Sequence, residues 1–245
     1  MIRRETADGV CVLTLAQPQR GNALSEAMVE ALLERVEAAI ADPAVHTLVL
    51  AGEGRNFCTG FDIGELPEAE SASVAATDGP LLWRFVRIEQ LLATLWQAPL
   101  RTVAVAQGRA WGAGADLFAA CDLRLATGDT QWRFPGAGFG LVLGSGRLAE
   151  QVGAARAQDW VAHGRGIDGQ TALDSGFVTA LLPRAEDWRE HLPPLAVDRS
   201  TYAALKAAMR PARPDADLAA LVRSATRPGL ARRIAAYRAA SRPRS

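Results

Sequence analysis

His46 to Leu66 reads HTLVLAGEGRNFCTGFDIGEL: an apolar run, a corner of small residues, then an aspartate and a helix-like stretch. An apolar run without polar alternation suits a strand covered on both faces. The corner itself, FCTGFDIGEL from Phe57 to Leu66, lets a ligand come close to backbone amides because glycine carries no β-carbon. About fifty residues later, GRAWGAGADLFAACDLRLA from Gly108 makes a second corner of the same kind. Each offers free N–H groups at a helix N-terminus, where the dipole favours negative charge. Two such donors converging on one point form an oxyanion hole. Taken alone, either corner reads first as glycine permitting tight helix-on-strand packing.

Working outward, GVCVLTLAQP reads as a strand ending at Pro18, and SEAMVEALLERVEAAIADP as a helix with Ser25 at its N-cap. Met28, Leu32, Val36 and Ile40 form its apolar stripe, and Asp42-Pro43 ends it. A second amphipathic helix runs from Gly79 to Trp96 and closes at Pro99. RTVAVAQG is a strand, GAGADLFAAC a short helix and DLRLATG another strand. Alternating strands and helices predict an α/β arrangement over 1–197. From Asp198 onward the texture is helical and rich in Ala and Arg, which predicts a C-terminal helical region over 198–245.

With 245 residues the chain can bury a sizeable core. Its 27 basic and 27 acidic residues balance, against the basic footprint of a nucleic-acid protein. Lys206 is the only lysine. Cys11, Cys58 and Cys121 show no CxxC spacing, so a reduced cytoplasm is expected rather than a disulfide framework. The start, MIRRETADG, carries no apolar leader, and no run approaches the ~20 apolar residues of a membrane span. The expectation is a soluble cytoplasmic protein with neither membrane nor nucleic-acid partners.

Several motifs fall away. Gly52-Glu53-Gly54 opens like a dinucleotide fingerprint but places Phe57 at the third glycine. Tyr202 and Lys206 match a dehydrogenase pair without its glycine-rich first turn. Ser145 lacks the flanking glycines of a nucleophile elbow, since Leu143 and Arg147 stand there. His46, His163 and His191 are scattered, and no metal site is expected. The arginines at 223, 227, 232, 233 and 238 read as a solvated helix face.

Together, the corners resemble those of the crotonase (enoyl-CoA hydratase/isomerase) superfamily. GNALS, LVLAGEGRNFCTGFDIGEL, AVAQGRAWGAGADLFAACDLRLAT, FPGAGFGLVLGSG and GQTALDSGFVTALLP follow in family order across nearly the whole chain. The resemblance implies a spiral of ββα units, a helical C-terminal trimerisation region, and a homotrimer or homohexamer. It also implies acyl-coenzyme A thioesters as substrates, in the manner of fatty acid metabolism, with no cofactor beyond the coenzyme A of the substrate. Carried over, the oxyanion donors are the backbone N–H groups of Phe61, beside Gly60, and of Ala113. Arg20, Asn22, Ala23 and Leu24 match the block beside the coenzyme's nucleotide end. Asp62 and Asp122 match structural positions.

Two departures follow. The first hydratase acid, a glutamate in the family, is here Asp116, one methylene shorter. The second falls at Gly136, which has no side chain and which leaves a left-handed backbone open there. The implied chemistry is therefore of isomerase, hydrolase or decarboxylase type rather than standard hydration. The alternative is a catalytically silent binder of CoA thioesters, or a structural subunit. Trp132, Phe134, Phe139 and Leu143 are candidates to line the acyl pocket. The stripe at Leu218, Leu221 and Val222 is expected to be covered by another subunit.

Overall fold

The computed structural model describes residues 1–65, 74–210 and 213–240. Leu66 at the end of the first corner, and 211–212 and 241–245 in the C-terminal region, lie outside the described residues. The chain opens with a hairpin of β1 (Ile2–Ala7) and β2 (Val10–Leu15), joined by Asp8-Gly9. Both turn residues take positive φ, +50° and +72°, as a two-residue turn matched to strand twist requires. Sequence reading missed β1 because its side chains, half of them charged, are exposed beyond Ile2 and give no apolar alternation.

Helix α1 (Glu26–Ala41) begins as expected, with Ser25 Oγ accepting the Met28 N–H at 3.2 Å. Met28, Leu32 and Val36 are fully buried. After β3 (Thr47–Gly52), helix α2 (Val74–Gln97) begins at Val74, not at Gly79. Pro80 thus lies inside the helix rather than at its first position. The added segment is anchored by Asp78, whose carboxylate accepts the N–H groups of Gly229, Leu230 and Ala231 at 2.8–3.0 Å.

The chain continues through β4 (Arg101–Ala106), β5 (Arg109–Trp111), α3 (Ala113–Ala120), β6 (Leu123–Thr127) and β7 (Gln131–Arg133). Then come α4 (Ser145–Val152), α5 (Ala154–Ala162), β8 (Gly166–Ile167), α6 (Gly169–Asp174) and β9 (Ala180–Leu182). Helices α7 (Arg199–Met209), α8 (Pro214–Ala225) and α9 (Leu230–Ala240) follow. The main sheet has the order β1-β2-β3-β4-β6-β9 and is parallel from β2 onward; β5-β7-β8 form a second sheet. Alternation within the buried strands now has a cause. Leu13, Leu48, Leu50 and Ala104 join the core with α1 and α2, while Val12, Val49, Val103 and Val105 pack on the other side with Trp188.

The C-terminal helices dock by charge as well as by apolar contact. Asp122 Oδ1 and Oδ2 pair with Arg210 and Lys206, each at 3.0 Å, and Oδ2 also accepts the Thr102 N–H at 2.8 Å. Burial pulls the Lys206 ammonium below its usual range, opposed by Asp122. Lys206, the second residue of the dehydrogenase-like pair, is therefore a structural anchor of α7. Within the Leu218–Leu221–Val222 stripe, Leu221 is fully buried in one chain, where α8 packs on α2, while Leu218 and Val222 stay half-buried. Removing one member of a buried ion cluster strands the others. Asp122→Ala should lower stability by roughly 3–5 kcal/mol in urea denaturation, with Lys206 and Arg210 left without their counter-charge.

Candidate active site

The two corners are laced together by backbone bonds. Phe57 N–H donates to Gln107 O at 2.9 Å, Cys58 N–H to Arg109 O at 3.1 Å, and Trp111 N–H to Cys58 O at 3.0 Å. Gly60, at φ +88°, lies so close to the second corner that a β-carbon would stand 2.4 Å from Trp111 O and 3.3 Å from Ala113 N. A β-carbon on Gly114 would stand 2.2 Å from Cys58 O. Only glycine fits at either point, so the tight-packing reading of the corners holds. Packing is what sets the Phe61 and Ala113 amides beside one cavity. Among the described residues, neither amide donates to a turn or loop acceptor.

The nucleotide-end block plays a different part from lining that cavity. Thr59 N–H donates to Gly21 O, Leu24 N–H to Gly60 O and Asp62 N–H to Leu24 O, which binds this block to the first corner. Asn22 is fully buried at φ +55°, its amide donating to Glu53 O and Asn56 O. Leu24 is also fully buried and Ala23 nearly so, while Arg20 pairs with Asp62 at 2.5 Å. Asp62 further accepts the Gly64 N–H at 2.9 Å, the turn role expected of it.

The cavity encloses about 500 Å³ and is lined mainly by apolar and aromatic groups, with Phe61, Ala113, Asp116 and Gly136 among them. Phe134, Phe139 and Leu143 line it as expected. Trp132 does not: it is fully buried beneath, packed against Phe118 and Phe177 at 5.3 and 5.7 Å between ring centroids. One wall went unread in the sequence. Helix α9 contributes Ile234, Tyr237 and Arg238. Arg233 on the same helix donates to the carbonyls of Phe139, Pro228 and Ser224, and Arg238 to that of Ile63. These arginines, read as a solvated face, fasten the helix over the cavity. A repeating Ala-Arg texture gives no sign of which carbonyls its arginines will reach.

Asp116 is the only carboxyl among the described lining residues. It sits in the first turn of α3, 6% exposed, and none of the described hydrogen bonds or salt bridges involves its carboxyl group. Burial pushes its pKa up to about 7; the nearby Arg147 pulls it down and Glu89 adds to the rise. Cys58 and Cys121 are fully buried and burial pushes both thiols up to about 12, so neither is a nucleophile at neutral pH. Gly136 does not take a positive φ, and a β-carbon there would stand 3.2 Å from Leu141 O and 3.9 Å from Leu141 Cβ. The missing second acid is therefore not imposed by a left-handed backbone.

The raised Asp116 pKa has a stability consequence. Between the unfolded value, about 4, and about 7, the native state holds the proton more tightly, so wild-type stability falls as pH rises through that window. Asp116→Asn removes the dependence. It should be more stable than wild type at pH 8, by on the order of 1.4 kcal/mol for each tenfold by which folding weakens the acid. Parallel denaturant melts should show the gap closing towards pH 4.

With this geometry in place, comparison with known proteins locates the chain. The model of the enoyl-CoA hydratase/isomerase family matches residues 5–225. A crystal structure from Bordetella parapertussis, described as an enoyl-CoA hydratase/isomerase, is 40% identical, covers 99% of each chain and superposes with a TM-score of 0.90. The 2,3-dehydroadipyl-CoA hydratase of Escherichia coli is 32% identical over 71% of this chain and 66% of the relative. The ethylmalonyl-CoA decarboxylase of Bos taurus is 31% identical over 73% of this chain, and only 58% of that relative is covered.

Proposed function

Because the chain belongs to the enoyl-CoA hydratase/isomerase family, we propose that it is an acyl-CoA enzyme in which Asp116 moves a proton at C2 of a thioester enolate. The observation that carries this reading is the lone, unpaired carboxyl facing the cavity shared with the Phe61 and Ala113 amides. The thioester oxygen accepts both N–H groups. Asp116, when ionised, takes the C2 proton as the C–H electron pair moves into the carbonyl, and the resulting enolate oxyanion is held by the two donors. Each donor contributes roughly 10²–10³ in rate.

A carboxyl titrating at about 7 is present in both forms at neutral pH, as a group that must both take and give a proton requires. With a 3-enoyl thioester, returning the proton to C4 as the C3=C4 double bond moves to C2=C3 gives isomerisation. If the bond broken at C2 is instead to a carboxylate, CO₂ leaves with the enolate behind, and protonated Asp116 supplies the proton to C2. The decarboxylase among the relatives favours keeping this second route. Hydration is disfavoured because Gly136 offers no side chain to activate water at C3. The coenzyme's nucleotide end is read beside Arg20 and the main chain at Asn22–Leu24. A homotrimer or homohexamer belongs to the same reading.

Enolate formation can be measured without knowing the product. Wild-type protein in D₂O should wash deuterium into C2 of butyryl-CoA, read by mass spectrometry, and Asp116→Asn should lose at least about 10²-fold of that rate. No exchange above the buffer rate in folded wild type would sink the reading in favour of a silent binder. For the missing acid, wild type should hydrate crotonyl-CoA poorly, while the Asp116→Glu, Gly136→Glu double variant should gain hydration as loss of enoyl absorbance. Ordinary hydratase turnover by wild type would show that another carboxylate occupies the second position.

A further inference from the structure

The turn that opens α4, Gly144-Ser145-Gly146-Arg147, is shaped by carboxyl groups on two sides. A β-carbon on Gly144 would stand 2.2 Å from Asp116 Oδ1. On Gly146 it would stand 2.6 Å from Asp217 Oδ1 and 3.1 Å from Arg213 Nε. The helix start is thus wedged between the candidate acid and a second carboxyl delivered by α8. Arg147, 1% exposed, gives Nη1 and Nη2 to Glu89 at 3.0 and 2.5 Å, and its Nη2 lies 3.5 Å from Asp217 Oδ2. Glu89 is 2% and Asp217 5% exposed.

One buried guanidinium therefore serves two buried carboxylates. The charges around Asp116 come from each neighbouring element: Glu89 on α2, Arg147 on α4, and Asp217 on α8 with Arg213 at its edge. Arg213 is itself tied to Glu150 at 2.7 Å. Across the cavity stand Arg133, Tyr237 and Arg238. Ionising Asp116 adds a third anion beside one buried cation, and a low-dielectric interior resists that.

We propose that Glu89 and Asp217 are positioning residues for Asp116: by engaging Arg147 between them, they occupy that buried guanidinium and keep Asp116 as the proton-bearing acid. Its use in catalysis rests on the C2 reading above, but its test does not. Helix α8 then belongs to the site without touching substrate. A C-terminal helix, remote from Asp116 along the chain, helps set the charge of the acid.

The direction follows from the contacts. Glu89→Gln removes the anion that holds both Nη atoms, leaving the Arg147 charge less compensated, so Asp116 ionises at lower pH. Carboxyl carbon NMR of the protein without ligand, from about pH 4 to 9, follows the Asp116 resonance, assigned by its loss in Asp116→Asn. The midpoint should fall by about one pH unit in Glu89→Gln, a tenfold rise in the ionised fraction relative to the protonated one near neutrality. Asp217→Asn should move it the same way by less, and Arg147→Gln should move it upward.

Near-ultraviolet circular dichroism checks the fold of each variant. If Glu89→Gln does not fold, Asp217→Asn decides, because its site lies at the outer end of the cluster. Unchanged midpoints in the folded variants overturn the proposal. The pH limb of C2 deuterium exchange should shift with the NMR midpoint. Shifted midpoints with no exchange in wild type would uphold this inference and reject the C2 reading.

Discussion

The contact between the two corners is the constraint on which the rest of the site depends. Two backbone segments approach until no β-carbon fits at Gly60 or Gly114. Parallel strands β3 and β4 deliver the segments from adjacent positions in one sheet, and the second sheet carries the bonds between Cys58 and the Arg109–Trp111 strand. That approach fixes three things at once: the position of the Phe61 amide, the start of α3 with the Ala113 amide, and the depth at which Asp116 enters the interior. A larger residue at either glycine displaces all three together, so geometry here is shared rather than assembled residue by residue.

Depth then governs electrostatics. The first turn of a helix ordinarily favours a carboxylate, yet burial outweighs the dipole and Asp116 titrates near neutrality. Beneath it, Phe118, Trp132 and Phe177 form a packed aromatic floor that supplies no charge. The cation that attracts its carboxylate, Arg147, is bidentate to Glu89. Desolvation is left as the dominant influence because the competing attraction is already engaged elsewhere.

What was legible in the sequence was what local sterics determine. Ser25 as a cap, the Met28–Val36 stripe and the glycine corners are decided by neighbours within a few residues, and the structure repeats them. The misses share the opposite character. An amphipathic stripe such as Leu218–Val222 states that something covers it, but not that α2 takes Leu221 and leaves Leu218 and Val222 half-buried. Trp132 has the composition of a pocket aromatic, and only the pairing of β7 with β5 and β8 turns it towards the floor. Glu89 lies in RFVRIEQ, indistinguishable from a solvated glutamate until Arg147 arrives from 58 residues away. Helix α9 became a cavity wall through Asp78, Arg233 and Arg238, each bonded across long stretches of chain.

The anchoring of α7 has a chemical side effect. Thioesters acylate free amines, and lysine side chains are the usual acceptors on a protein that meets them at high local concentration. This chain has a single lysine, and its Nζ lies buried between Asp122 and the carbonyls of Leu95 and Leu100. The remaining side-chain cations, apart from histidine, are guanidinium groups, which keep their proton and do not offer a nitrogen lone pair at neutral pH. A chain that handles acyl-CoA as proposed thus presents no lysine side-chain amine for its own substrate to modify.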